Sequence, residues 1–342
     1  MIKKFFLEKQ LTYKYTKLAC YIGIACIGIV DNFPPLLFLT FQETWAISLG
    51  QITFLISLNF FAQLIAGISL VKLVEKIPYR HLAIGSTVMM FFGLVFMVLL
   101  PQIFPIPYLG LCIATALNGF SVGIIDIVLN SVLEGLPGDN KFSSMSLLHS
   151  FYCWISVAVI LFSTLIFKIY SAKVWPLLTL LFAVLPVICF FLFLRVPINP
   201  LVKKDTKRTP VNQLMRNGVF YILLISMFAA GASKTAISQW SPYFAEVALS
   251  VPKATGDIFG LAFFLLTMAI TRTIIGSIRV RLKLEKLLSL AATICIICCI
   301  VIALSHSAIG SLLAIGVSGF AVGVFLAKYI KFSKRIVSKI GC

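Results

Sequence analysis

From Arg195 to Asn217 the chain reads RVPINPLVKKDTKRTPVNQLMRN, with six basic residues, one acid and three prolines in 23 positions. Both sides of this stretch are strongly apolar. Of the 342 residues 60% are hydrophobic and only 12% charged, with a mean hydropathy of +1.05. Such a composition excludes a water-soluble chain, intrinsic disorder, collagen and a disulfide scaffold. A bilayer core takes about 20 apolar residues per helix. Cutting the chain on that length predicts ten spans, near 18–40, 50–71, 82–101, 108–133, 147–168, 175–194, 218–246, 257–278, 287–305 and 309–327. The quoted stretch is the single long linker, and it separates six spans from four. The expected fold is an all-α polytopic membrane protein in two helical blocks. Residues 1–194 form a six-helix block, 195–217 the linker, and 218–342 a four-helix block ending in a basic tail.

The formal net charge of +18, from 29 Lys and Arg against 11 Asp and Glu, would suggest nucleic acid in a soluble protein. Here 24 of the 29 basic residues fall in alternate loops, and the opposite loops hold only Lys168, Lys173 and Lys253. Basic loops stay on the cytoplasmic side. Both termini and the linker are therefore expected to be cytoplasmic, in a plasma membrane, and no nucleic-acid partner is expected. The basic start (Lys3, Lys4, Lys9, Lys14, Lys17) runs into an apolar run of spanning length without a small-residue cleavage site, so the first span should be retained. The nine cysteines lie almost entirely in apolar runs with no paired CxxC pattern. They read as small apolar residues, and neither a metal nor a cofactor is expected.

Spans 2 and 8 both run into short basic turns, Lys72 to Arg80 and Arg279 to Lys286, about 206 residues apart. Asp31 in span 1 and Lys234 in span 7 are similarly offset. The layout is that of a duplicated block.

Charges at bilayer depth cost roughly 2.5 kcal/mol or more, so embedded ionisable residues point to function. Asp31 lies in Val30-Asp31-Asn32-Phe33-Pro34-Pro35, where two prolines should kink or open the helix just past the carboxylate. In span 4, Asn118, Asp126 and Asn130 fall within about 120° of one face, with Gly119 and Gly123 on a neighbouring stripe that allows close approach of another helix. Span 7 carries Gly231, Lys234, Ser238 and Pro242 on a polar stripe, with Gln239 and Trp240 adjoining. Lys234 is expected to couple to Asp31 or Asp126. Span 5 adds His149, Tyr152 and Ser156 at helical spacing. Arg272, close to the cytoplasmic end of span 8, reads as a snorkelling side chain.

At these residues the chain resembles the major facilitator superfamily, and in detail its branch related to fucose–proton symporters. Asp126 followed by Asn130 resembles that branch's carboxylate and Asn in helix 4. Leu147-Leu148-His149-Ser150-Phe151-Tyr152 resembles its opening of helix 5, and Asp31 its mid-membrane Asp in helix 1. The turn Glu75-Lys76-Ile77-Pro78-Tyr79-Arg80 is similar to the family's charged gating turn after helix 2, with Pro78 in place of the usual Gly. Gly231-Ala232-Ser233-Lys234 with Ser238-Gln239-Trp240 resembles a helix 7 pattern in which Glu stands where Lys234 is. Members usually have twelve helices, so the resemblance also implies a chain cut short after the tenth.

The resemblance implies a secondary transporter, not an enzyme, moving a small polar solute such as a sugar by alternating access. It implies coupling to the proton gradient, with Asp31, Asn118, Asp126, Asn130, His149, Tyr152, Lys234, Ser238, Gln239 and Trp240 facing solute or proton, and Glu75, Lys76 and Arg80 at the gate. A monomer is expected. Two other readings stay open: a non-transporting truncated remnant, and a membrane-embedded lipid-linked sugar transferase, against which the short loops argue.

Overall fold

A computed structural model describes residues 12–137, 141–198, 218–277, 284–305 and 307–339, and every regular element in these segments is helical. Most of the linker (199–217) and the first eleven residues, with Lys3, Lys4 and Lys9, lie outside them. Nine helical segments among the described residues are long and apolar enough to cross a membrane: Tyr13–Trp45, Leu49–Leu70, Tyr79–Ile103, Pro107–Glu134, Ser144–Tyr170, Ala172–Arg195, Lys253–Ile275, Lys286–Leu304 and Ala308–Phe325. Together with the 30-residue helix Gly218–Val247, they match the ten expected spans in order. The chain is a multi-pass membrane protein.

Two spans are broken where proline dictates. Helix α1 (Tyr13–Asn32) stops one residue after Asp31, a 3-10 turn covers Pro34–Leu37, and α2 (Phe38–Trp45) completes the crossing. Neither proline can donate to the preceding turn, which forces the break. Asn32 stabilises the end of α1 by donating its side-chain amide to the Gly28 carbonyl at 3.0 Å. The sixth span is likewise divided at Ala183 into α7 (Trp175–Phe182) and α8 (Val184–Arg195). The intervening helices are continuous: α3 (Leu49–Lys76), α4 (Tyr79–Ile103), α5 (Pro107–Glu134) and α6 (Lys141–Tyr170).

By packing the chain divides into two units, one within Met1–Lys141 and Phe162–Leu201, the other within Phe142–Leu161 and Val202–Cys342. In the first, α5 is the hub, packed by α1, α3 and α4, while α8 lies against α1 and α4. Close approach is set by glycine. A Cβ on Gly119 would collide with the Asn59 carbonyl of α3, and one on Gly123 would stand 2.5 Å from the Gln63 carbonyl. The glycine stripe therefore meets another helix, as its spacing predicts.

The second unit contains α9 (Gly218–Val247), the short α10 (Lys253–Gly256), a π-helical segment (Asp257–Ala262), α11 (Phe263–Ser277), α12 (Leu284–Leu304) and α13 (Ala308–Lys339). Its hub is α13, packed by α9, α11 and α12. Gly319 and Gly323 do for α13 what Gly119 and Gly123 do for α5, since a Cβ on either would strike Phe264, Thr267, Met268 or Thr271 of α11. The pairs 1–4, 2–4 and 3–4 of the first unit thus recur as spans 7–10, 8–10 and 9–10 of the second. Where α8 seats against α1 and α4, the equivalent strip between α9 and α12 is an open apolar groove of about 560 Å³, lined among others by Ala230, Gly231, Ala292 and Cys295.

Candidate functional site

In the first unit the polar residues form two groups. Asp31, 9% exposed, accepts a hydrogen bond from the Gln63 amide of α3 at 3.4 Å. Gln63 was not singled out in the sequence, although Asn59 and Gln63 form an i,i+4 polar pair in an otherwise apolar span. Asp126 and Asn130, both half-buried, form the second group: the Asn130 amide donates to the Asp126 carboxylate at 3.2 Å and to the Asp126 backbone carbonyl at 2.8 Å. This fixes the carboxylate against its own helix while leaving it reachable. Asn118 does not join them. It is 5% exposed and presses on Gly93 of α4, so it belongs to the α4–α5 packing seam, and its side-chain amide oxygen Oδ1 has no hydrogen bond among the described residues.

The gating turn is partly a structural clamp. The Arg80 guanidinium donates to the carbonyls of Phe193 at 3.2 Å, Leu194 at 2.6 Å and Val196 at 2.8 Å. These are the orphan acceptors at the C-terminus of α8, where the helix dipole also favours a cation. Pro78 serves as N-cap of α4 with φ −59°, its natural value, so it suits the turn. Lys76, the last residue of α3, is exposed; the side chain of Glu75 lies outside the described residues.

The second unit gathers the span 5 motif and two cations. Lys234 Nζ lies 3.2 Å from the Tyr152 hydroxyl and 4.7 Å from the Tyr152 ring centroid. That contact combines a hydrogen bond with cation–π attraction. Within this unit Tyr152, four-fifths of a turn past His149, thus supplies Lys234 with an aromatic face and a hydroxyl. The expectation for Arg272 is corrected. It does not snorkel but is 4% exposed, its Nη1 donating to the His149 carbonyl at 3.2 Å and to Cys153 Sγ at 3.2 Å. The His149 carbonyl and the Cys153 sulfur on α6 give the guanidinium partners inside the unit, which removes the need to reach for an interface. Around it, Thr273 accepts from Trp154 at 3.2 Å and bonds Ser150 at 3.2 Å, and Ser146 donates to the Arg272 carbonyl at 3.4 Å. The polar triplet Thr271-Arg272-Thr273 was the signal in the sequence for this seam.

Further along α9, Ser238 and Gln239 are buried at 3% and 5%, Ser238 donating to the Thr235 carbonyl at 3.3 Å. Trp240 stands edge-on to Tyr243 with ring centroids 6.0 Å apart. Sequence reasoning also passed over Asp257, which is fully buried at the start of the π-helical segment. Lys253 reaches it at 3.7 Å and Glu246 at 3.0 Å. A π-segment widens the helix by one residue per turn and frequently marks a site of motion or function.

Comparison with known proteins gives one family and a consistent fold. No curated protein matches the sequence. Among solved structures, the FucP transporter in its outward conformation is similar over 92% of this chain and 84% of its own, at 15% identity and a TM-score of 0.68. The xylose transporter XylE from E. coli, in a partially occluded inward-open conformation, is similar over 94% of this chain and 87% of its own, at 13% identity and a TM-score of 0.69. At such identities the likeness speaks for the fold alone. The family model of the Major Facilitator Superfamily matches residues 20–334, nearly the whole chain, and with the duplicated helical layout this places the protein in that superfamily.

Proposed function

We propose that the chain is a secondary active transporter that moves a small polar solute of the sugar class by alternating access, driven by the proton gradient. The observation that carries this reading is Asp126: a half-buried carboxylate inside a 28-residue membrane span, two turns before its end and held by the Asn130 amide. A carboxylate in that setting is expensive unless it exchanges protons or meets solute. Asp31, beside a helix break, supplies a second such group. The blocks 1–194 and 218–342 act as the two rocking elements around the linker 195–217, in a plasma membrane, with cytoplasmic termini and as a monomer. His149, Tyr152, Lys234, Ser238, Gln239 and Trp240 contribute to the solute site. FucP and XylE, whose names specify fucose:proton symport and xylose transport, support the solute class.

The test is uptake and counterflow of a panel of labelled sugars in proteoliposomes, with and without an imposed pH gradient, inside acidic or inside alkaline. Accumulation of one sugar that follows the gradient is the expected outcome. Absence of counterflow for every member of the panel, with correctly inserted protein, would remove the reading.

A further inference from the structure

We propose that the second unit holds an anion subsite built on Arg272 and Lys234 against the first turns of α6, and that the solute carries a carboxylate. This rests on the transport reading above and narrows its substrate class to small polyhydroxy acids.

The argument begins with the unspent edge of the guanidinium. Arg272 is 4% exposed, and only its Nη1 is engaged, by the His149 carbonyl and Cys153 Sγ. Its buried Nε has no hydrogen-bond partner, and both side-chain hydrogen bonds of Arg272 among the described residues come from Nη1. Nε and Nη2 form the fork that clasps a carboxylate through two parallel hydrogen bonds. Arginine does not shed its proton to escape a buried position, so the desolvation cost persists until an anion arrives.

Lys234 adds a second positive charge at the same level. Its partner Tyr152 lies within one turn of His149 and Cys153, the two residues that hold Arg272. Three residues of helix rise only about 4.5 Å along the axis. Positions 152 and 153 diverge by about 100° around α6, on either side of the direction of 149, so the two cations approach the helix from different sides of one patch. The contacts of both are neutral among the described residues: a carbonyl, a thiol, a hydroxyl and an aromatic ring. Two cations without a carboxylate in a low-dielectric setting repel one another and are each underpaid in solvation. An external carboxylate relieves both, with Arg272 taking it bidentately and Lys234 acting as a mobile point charge. A neutral sugar offers no such compensation.

A merely structural Arg272, bolting α11 to α6, would do its work through Nη1 alone and would be indifferent to solute charge. The experiment separates the two. Purified full-length chain is titrated with galactose and galacturonate, a pair differing in one carboxylate, and with gluconate and lactate, reading ligand-induced thermal shift and, in proteoliposomes, counterflow of labelled galactose and galacturonate. At least one acid is expected to raise Tm where galactose does not. Arg272→Lys, which keeps the charge but loses the fork, should bind that acid about ten- to hundredfold more weakly. Lys234→Gln serves as a second variant should Arg272→Lys fail to fold, with a loss in the same direction. Equal shifts by galactose and galacturonate, no shift by any of the three acids, or an acid-induced shift untouched in both variants would overturn the subsite. Galactose counterflow without acid binding keeps the transport reading and discards the anion. An acid-induced shift without counterflow of that acid, in labelled form, or of any sugar of the panel keeps the subsite and discards transport.

Discussion

Asp126 and Asp31 differ in a way that assigns them different work. Asp31 is nearly enclosed and shared with Gln63, whereas Asp126 is half-buried and tied to Asn130 on its own helix. The more reachable group is the better proton carrier. Asp126→Asn should therefore abolish gradient-driven accumulation while leaving insertion and expression as in the parent; accumulation at the parental level would take Asp126 out of the mechanism. Arg80 carries a prediction of the opposite kind. It satisfies three terminal carbonyls of α8, so Arg80→Gln should lower stability in detergent by about 2 kcal/mol or more, as expected for charge-assisted hydrogen bonds. Solute binding, measured on the folded fraction, should survive it. At this scale the sequence was read well where the cause is local and poorly where it is a neighbour. Pro34 and Pro35 break span 1 by their own covalent chemistry, and the break could be placed to the residue. Asn118 and Arg272 owe their settings to Gly93 and to the His149 carbonyl, which are far away in the chain, and a helical wheel names a face without naming what lies opposite it.

Among the helices, packing is set by what is small rather than by what is greasy. Apolar residues face lipid and protein alike: 83% of the first span's apolar window is buried, against 17% for Lys286–Leu304, though both are strongly hydrophobic. Lipid tails solvate leucine as well as another helix does, so hydropathy finds spans but does not order them. Glycine does. The stripe Gly119 and Gly123 on α5 and its counterpart Gly319 and Gly323 on α13 mark the two hub helices. Substitution of Gly119 or Gly319 by Leu should cost about 1–3 kcal/mol through overpacking against α3 or α11, read as a lower Tm in detergent. Gly231→Leu is the internal control, since an added Cβ there meets nothing within 4 Å and Tm should hold. A fall as large at 231 as at 319 would mean that glycine acts through the helix backbone itself and not through close approach. The π-helical start of the eighth span had no such signal. An inserted residue leaves the apolar pattern intact over a single turn, and only the fully buried Asp257 beside Lys253 betrays it.

For the molecule as a whole, the duplication was legible as layout before it was visible as packing. Basic turns about 206 residues apart indicated that spans 2 and 8 correspond, and the hub pattern of each unit now repeats in the same order. Little residue-level likeness survives because a helix pair needs only its close-approach positions kept, and lipid tolerates any apolar side chain elsewhere. The orientation of the chain rests on a different physics, the distribution of 24 basic residues into one set of loops and three into the other. Positive charge is retained on the cytoplasmic side during insertion, and short loops obey this rule best. Alkaline phosphatase fused after Ser171 or Ser250 should be active, because these sites follow the fifth and seventh spans, whereas fusions after Asp205 or Cys342 should be inactive and a fluorescent protein at those positions should fold and glow. The contrast between Ser171 and Asp205 tests a single crossing, the sixth span, which is broken at Ala183 and carries Pro186 just beyond. High phosphatase activity at Cys342 together with low activity at Ser250 would invert the second block, and with it the assignment of the linker and the C-terminus to the cytoplasm.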